Sequence, residues 1–519
     1  MSGLSDRLDS VFRRLPPRGY ELDRYASWFP QTAGVFLRYL KRSGALPAPR
    51  EQESDAIGVV VVPWVSTPVP WYAVMLALGL ARRGRKVVLF WDNTGFPERR
   101  VDEQNRVIAG VLSFVSRFLP VLPLADESAH PAGASDAPLV ERLAAQNLTW
   151  RLRGAPETDR HQPVVDEIRT SLARSLPLVR KALDRTNLDC LVVPGGVYGT
   201  SGLFLHEAGT RGYRVATFDT DRRIAQICVS GIAAQHADIP RAFDVLWESG
   251  DEARSQAVDI ARAELQSRTD SRDRYGFQTL PAGGSGSGAD EAVLMPLNVE
   301  WDTAALGRHR HFADAVDWIT STVAVILDSD AGPVIVRQHP SERRALQRSN
   351  LDIASVLRDR FGDDPRCRFV AADDAVNTYD LLRSARLVLP FVSTIAIEAA
   401  AIGKPVLISG DSYFADLGFV WSAASRDEYF ALLRRGLQGD LEPLPDQSRR
   451  AWICYYLAAV RNRISTDFTP HPDDFWNWCR RAPNSLFADS EVSDILEAID
   501  RDVPVSLLRH RRLSASNGE

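Results

Sequence analysis

The sequence predicts an α/β protein of two doubly wound lobes with helical extensions at both termini. Three observations predict it: the length, a recurring helix–stop–strand pattern, and one Gly/Ser-rich break. At 519 residues the chain outgrows a single hydrophobic core, so two domains plus extensions are expected. The pattern is an apolar helix, a glycine, then a β-branched strand. Trp71–Arg83 leads through Gly84 to Lys86–Trp91, Ser201–Arg211 through Gly212 to Arg214–Phe218, and Thr394–Ile402 through Gly403 to Pro405–Ile408. Glycine ends a helix at little cost because it accepts the left-handed conformation. Short, nearly continuous apolar strands after helices belong to parallel sheets covered on both faces.

Residues 1–54 are assigned to a helical extension and 55–275 to a first lobe, which opens on the strand Ile57–Val62 and runs through Leu191–Val193 to about Trp247. Residues 276–290 contain PAGGSGSGAD and are assigned as a flexible linker. The second lobe, 291–482, opens on Ala292–Leu297 and continues with the strands Val334–Val336, Arg368–Val370, Arg386–Leu389 and Val406–Ile408. Residues 483–519 form a helical tail. Two such Rossmann-like lobes joined by a flexible segment predict a ligand cleft between them, at the C-terminal ends of the strands.

Composition narrows the function. A hydrophobic share of 45% and a charged share of 25% are those of a soluble globular protein, and a net charge of −5 argues against a nucleic-acid-binding protein. The five cysteines are scattered with no CxxC pair, which points to a reducing compartment without disulfides or structural zinc. The N-terminus MSGLSDRLDSVFRRL lacks the apolar core of a signal peptide, and no run reaches the roughly 20 apolar residues of a membrane span. A cytoplasmic protein is expected. The basic end Leu507–Leu513 reads first as a solvated helix end and second as a peripheral contact with anionic lipid at the inner face of the membrane.

The chemistry concentrates in the second lobe. The strand Val334–Val336 runs into Arg337, His339 and Pro340, at the strand end where an open α/β sheet binds ligands. An imidazole can donate to a phosphate oxygen and Arg337 can neutralise charge; alternatively the histidine caps a turn locked by the proline. Further on, Ser393 and Thr394 stand at a helix start with Glu398 one turn in. Free backbone N–H groups and two hydroxyls there would bind phosphate, and Glu398 would reach a ribose diol. The alternative is an ordinary N-cap with a charged partner in the first turn.

The strand ending in His339-Pro340, then Asp373–Leu382, then Ser393-Thr394-x-x-x-Glu398, then Gly403–Val406, follow one another in this order. With Pro296–Asp302, Phe312–Trp318 and Ser412–Phe419, this stretch resembles the capsule polysaccharide biosynthesis family, which includes Kdo-transferase-like glycosyltransferases of the GT-B fold. The resemblance covers roughly residues 290–420. It implies a metal-independent and inverting glycosyltransferase without cofactor. The donor would be a CMP- or UDP-type nucleotide sugar, and the acceptor a glycan or lipid-linked glycan of a bacterial surface or capsular polysaccharide. It places the donor's phosphate on His339, Ser393 and Thr394, puts Glu398 near the nucleotide sugar and leaves Arg337 as a supporting cation.

The same resemblance asks for a general base on the first lobe, on a loop after a strand. Asp92 follows Val87–Trp91; Asp219 and Asp221 follow Val215–Phe218. Acceptor-side loops are expected at Pro63–Pro68, with Ser66 and Thr67, and at Pro194–Ser201, with Gly195 and Gly196, where glycines permit close backbone approach or simply a tight strand–helix turn. Asp219-Thr-Asp221 and Asp328-Ser-Asp330 match a metal–diphosphate pattern; the second reads as a turn, the first as a base or acceptor contact. The alternatives left open are a polyol-phosphate transferase of teichoic-acid type, a UDP-sugar 2-epimerase, and a non-catalytic nucleotide-sugar or glycan-binding subunit.

Overall fold

The computed structural model describes residues 21–44, 55–64, 67–96, 101–126, 133–155, 157–221, 224–269, 291–329, 331–344, 347–465, 468–472 and 474–516. The linker assigned to 276–290 lies outside them. The described residues divide into two compact units, one drawn from 1–148, 158–234 and 463–509, the other from 149–157, 235–462 and 510–519.

The first unit is a doubly wound sheet. Strands β1 (Ala56–Val61), β2 (Val87–Trp91), β3 (Val121–Pro123), β4 (Leu188–Pro194) and β5 (Arg214–Asp221) are parallel in the order β3-β2-β1-β4-β5. Continuous apolar runs make β1 and β4 buried on both faces, because helices cover each side. β5 does not stop at Phe218. It continues to Asp221 and pairs antiparallel with β6 (Ile224–Cys228), which in turn accepts a returning strand, Ile464–Ser465. Asp219 therefore lies inside a strand, opposite Gln226, and not on the loop the sequence suggested.

The second unit repeats the plan. β7 (Val293–Pro296), β8 (Val334–Arg337), β9 (Cys367–Val370) and β10 (Leu387–Val388) are parallel in the order β10-β7-β8-β9, and a bridge from Val388 to Val406 continues the sheet. β11 (Leu407–Ile408) pairs with β12 (Trp421–Ser422). Val293, Val334, Val336, Leu387 and Leu389 bury one face against Trp318 and Tyr429, whose side chains are joined by an indole N–H to phenol bond of 3.1 Å.

Two segments group differently from the sequence boundaries. The helices Ile239–Trp247 and Asp251–Ser267 were assigned to the first lobe but belong to the second unit, where they pack on the helix Gln447–Tyr455. The tail helix Ser490–Arg501 belongs to the first unit. Its apolar stripe of Val492, Ile495, Leu496 and Ile499 is buried, and Leu496 lies so close to Gly79 that a Cβ there would stand 2.6 Å from Leu496 Cδ1. Arg83 donates to Ser493 at 2.7 Å, and Arg85 binds Asp500. No helix among the described residues is long and apolar enough to cross a membrane.

Because Leu496 fills the notch over Gly79, Leu496→Ala should cost about 2–5 kcal/mol, the range for emptying a buried leucine site. A urea-unfolding midpoint unchanged from wild type would show the tail helix to be dispensable.

Candidate functional site

Leu297 N–H donates to the Arg337 carbonyl and Gln338 N–H to that of Val370, so the ends of β7, β8 and β9 stay in register past the sheet. His339 follows in extended conformation, and Pro340 opens a tight helical turn over Pro340–Arg343. His339 Nδ1 accepts the Ser341 N–H at 3.2 Å and lies 2.6 Å from Ser341 Oγ. The histidine thus caps the turn, one of the two alternatives raised by the sequence. That cap fixes the tautomer: with Nδ1 accepting a backbone N–H, the neutral ring carries its proton on Nε2. Burial, with the Arg337 and Arg268 charges beside it, lowers His339 to about 4. The ring is neutral at pH 7, a hydrogen-bond donor and not an acid.

Arg337 is buried, and its guanidinium donates to the carbonyls of Val370, Ala371 and Val376 and to Thr378 Oγ1. It props the loop after β9. Burial lowers it to about 10, partly offset by Asp374 and Asp373, so it remains a cation.

Ser393 and Thr394 stand at the start of the helix Ile395–Ala401. Thr394 makes no side-chain cap, and Ser393 Oγ accepts the Ile395 N–H at 3.5 Å. Glu398, only 2% exposed, is placed differently from the expectation that it reaches a ribose: Oε1 accepts Arg268 Nη1 at 2.8 Å. Its carboxylate is a buried counter-ion, because a carboxylate removed from water requires a paired donor. Arg268 Nη1 also donates to Tyr455 Oη at 2.9 Å. Burial opposes the Arg268 charge, but Glu398, Tyr379 and Tyr455 outweigh it and hold the group well above its ordinary value. Tyr379 is pushed far up by burial and by Glu398.

These side chains line one concavity. Arg268, Arg337, His339, Ser393, Thr394 and Glu398 surround about 530 Å³ of space open to solvent, at the C-terminal ends of β7, β8 and β10. In the strand order this is the switch point, where the connections leaving β7 and β10 run in opposite directions and a crevice opens. A second concavity of about 420 Å³ shares Leu297 and Gln338 with it and is lined by Trp318, Phe391, Glu300 and Glu342.

No protein-family model matches the chain, and no curated protein matches it. Solved structures do. KpsC of Thermosulfurimonas dismutans, a beta Kdo 2,7 transferase, aligns at 14% identity over 48% of this chain and 73% of its own, with a TM-score of 0.31. A putative UDP-N-acetylglucosamine 2-epimerase of Listeria monocytogenes aligns at 12% identity over 86% of this chain and 96% of its own, with a TM-score of 0.27. MurG of Acinetobacter baumannii aligns at 9% identity over 86% and 100%, with a TM-score of 0.30. At these scores the likeness carries no argument about activity. The fold rests on the strand orders given above.

The first-unit candidates fare unequally. Asp92 is buried, and both its oxygens are engaged: Oδ1 accepts Thr94 N and Oγ1 at 3.0 and 2.7 Å, and Oδ2 accepts Thr200 Oγ1 at 2.6 Å. It anchors the loop after β2 to the helix Gly199–Thr210, so it presents no carboxylate for a base. Asp219 is half-buried, and its Oδ1 accepts the Thr220 N–H at 2.8 Å. The side chain of Asp221 and all of Arg222, Ser66 and Asp330 lie outside the described residues; Asp328 caps the end of the helix Ala315–Leu327, the turn role expected of it. Thr67 Oγ1 donates to the Trp64 carbonyl at 3.0 Å in a local turn. Gly195 and Gly196 are buried, not open to a ligand. Gly195 has φ 66°, and a Cβ there would meet the Trp64 ring at 2.6 Å. Of the two readings of that loop, the tight strand–helix turn is the one observed.

The sequence reading missed Arg268, Tyr379 and Tyr455. Arg268 sits in a stretch of mixed charge, Glu264–Arg274, with no motif to mark it. Its partner lies 130 positions away, a pairing only folding reveals.

The low value of His339 has a consequence for stability. Above pH 6.5 neither the folded nor the unfolded chain holds this proton, and the contribution is complete. As the pH falls from 6.5 toward 4, the unfolded chain takes up a proton the folded pocket refuses, so stability declines across that window. His339→Gln should lose less stability than wild type between pH 7 and pH 5 in paired urea titrations. ¹⁵N shifts should show an Nε2–H tautomer in wild type; a ring titrating at its ordinary value would contradict the geometry.

Proposed function

We propose that the chain is a glycosyltransferase that moves a sugar from a CMP- or UDP-type nucleotide donor to a growing bacterial surface or capsular polysaccharide. The observation that carries this reading is the convergence of His339, two hydroxyls and two arginines, against one carboxylate, at the switch point of the second sheet. When an activated sugar is transferred to the acceptor oxygen, the nucleotide leaves with the bonding electrons on a phosphate oxygen, and the developing charge needs donors already in place. The His339 Nε2–H and the Ser393 and Thr394 hydroxyls are proposed as those donors, with the neighbouring concavity taking the nucleoside. The motif order between Val334 and Val406 supports the same assignment.

Since His339 is neutral, its proposed role is to hold the phosphate by hydrogen bond, while the leaving group departs as an anion. Metal-independence is part of the proposal, supported by the cations the pocket supplies itself. The proton acceptor for the attacking hydroxyl is proposed to be Asp219, because Asp92 is spent on Thr94 and Thr200. Attack opposite the leaving phosphate in a single displacement inverts the anomeric centre. A cytosolic setting, with peripheral membrane contact for a lipid-linked acceptor, completes the reading.

Incubation with a panel of nucleotide sugars and glycan primers tests it: transfer is expected, whereas 2-epimerisation or binding without turnover would replace the proposal by a different activity. His339→Ala should lower kcat by about 10²-fold, the scale for losing one preorganised donor; full activity in the folded variant would remove His339 from the mechanism. Ser393→Ala with Thr394→Ala should weaken nucleotide binding at least about tenfold in calorimetry, given roughly 1.5–3 kcal/mol per bond to a charged partner. Asp219→Asn should bind donor normally and fail to transfer. Activity should persist in EDTA, and its restoration only by magnesium or manganese would point instead to Asp219 and Asp221 as ligands.

A further inference from the structure

Arg268 stands at the end of the helix Asp251–Ser267, outside every motif of the site, yet it lines the same concavity as His339, Ser393 and Thr394. Its donors are unevenly used. Nη1 serves both Glu398 and Tyr455; Nη2 makes no hydrogen bond to any described residue; Nε is buried without a partner among the described residues. A guanidinium has five N–H donors, and of those on Arg268 the ones spent on described residues are at Nη1. The buried Nε is the donor that calls for an acceptor.

Charge makes the same demand. Among the residues lining this pocket, Arg268 and Arg337 face the single carboxylate of Glu398 and the His339 ring is neutral, while Asp374 and Asp373 act on Arg337 from outside the lining, which leaves the Arg268 side the more positive. Arg337 has its guanidinium turned to backbone carbonyls. Among the described residues of this pocket, Arg268 is the cation with capacity left. It is also near enough to His339 for its charge to lower that ring's affinity for a proton. Two donors of this kind on one small concavity match the separate oxygens of a phosphate group.

We propose that Arg268 is an anion-binding residue of this pocket, sharing the ligand's phosphate with His339, and that Glu398 is the positioning residue that aims it. This rests on the pocket being a phosphate site, and it stands whether or not a sugar is transferred. Glu398 fixes one end of the guanidinium and leaves the other to the ligand. A bare arginine in the same place would be mobile.

Calorimetry of the full chain with inorganic pyrophosphate, CMP and UDP tests the assignment. Arg268→Gln alone strands the Glu398 carboxylate and is at risk of unfolding, so the decisive variant is Arg268→Gln with Glu398→Gln, which removes both charges together. That folded variant should lose at least about tenfold in affinity for whichever of the three ligands wild type binds, one decade being about 1.4 kcal/mol. Arg268→Lys, which keeps the charge without the planar fork, should fall between. The His339 titration, followed by NMR, should rise from about 4 in the double variant, with burial and Arg337 still holding it below its ordinary value, and ligand affinity should then rise as the pH falls. Binding as tight as wild type in the double variant, or no binding of any of the three ligands by wild type, would each overturn the proposal. Arg268-dependent binding without transfer of any sugar would overturn the glycosyltransferase reading and leave this one intact.

Discussion

Glu398 carries a carboxylate where water hardly reaches, and its neighbourhood is organised by that fact. An uncompensated buried charge costs several kcal/mol, so the position is tenable only if a cation is delivered to it. The cation comes from Arg268 on the helix Asp251–Ser267, and the Arg268 guanidinium is steadied by Tyr455 on the helix Gln447–Tyr455. Tyr379, at the start of the helix Thr378–Ser384, faces the same carboxylate. One ion pair thereby gathers segments spread over much of the second unit. It also gives a reason why the helices following Asp238 pack with this unit and not with the strands that precede them.

The two sheets share a strand order, and their switch points are built to different ends. In the first unit the loops after β1 and β4 meet, with the Trp64 ring laid against Gly195 so closely that only glycine fits. In the second unit the corresponding loops, after β7 and β10, touch where Val392 N–H donates to Asn298 Oδ1 at 3.3 Å, and the concavity of about 530 Å³ opens beside them. The topology permits a ligand site at both places. Side-chain volume closes one and leaves the other open, and polar groups collect at the open one.

The structural role of His339 also sets the chemistry of its ring. Its cap on the turn at Ser341 satisfies a backbone donor, the ordinary task of a residue before a helical proline turn. The same bond dictates which ring nitrogen keeps the proton, and burial, with the nearby arginines, keeps the ring neutral.

Local chemistry determined what the sequence by itself revealed. Strand runs such as Val334–Val336, helix stops at Gly84, Gly212 and Gly403, and the placing of His339, Ser393 and Thr394 at element ends all follow from signals within a few residues, and all are found near their expected positions. Tertiary structure decided everything that depends on pairing across distance. It extended β5 through Asp219 into a hairpin, because β6 was there to pair with it. It consumed Asp92 on two threonines, turned Glu398 from a ribose contact into a counter-ion, and brought the helices 239–267 and the tail helix 490–501 to units the linear order did not suggest. The reason is physical: helix and strand propensity are read from neighbours in the chain, whereas a buried charge is satisfied by whichever partner the fold brings near, and for Glu398 that partner lies 130 residues upstream.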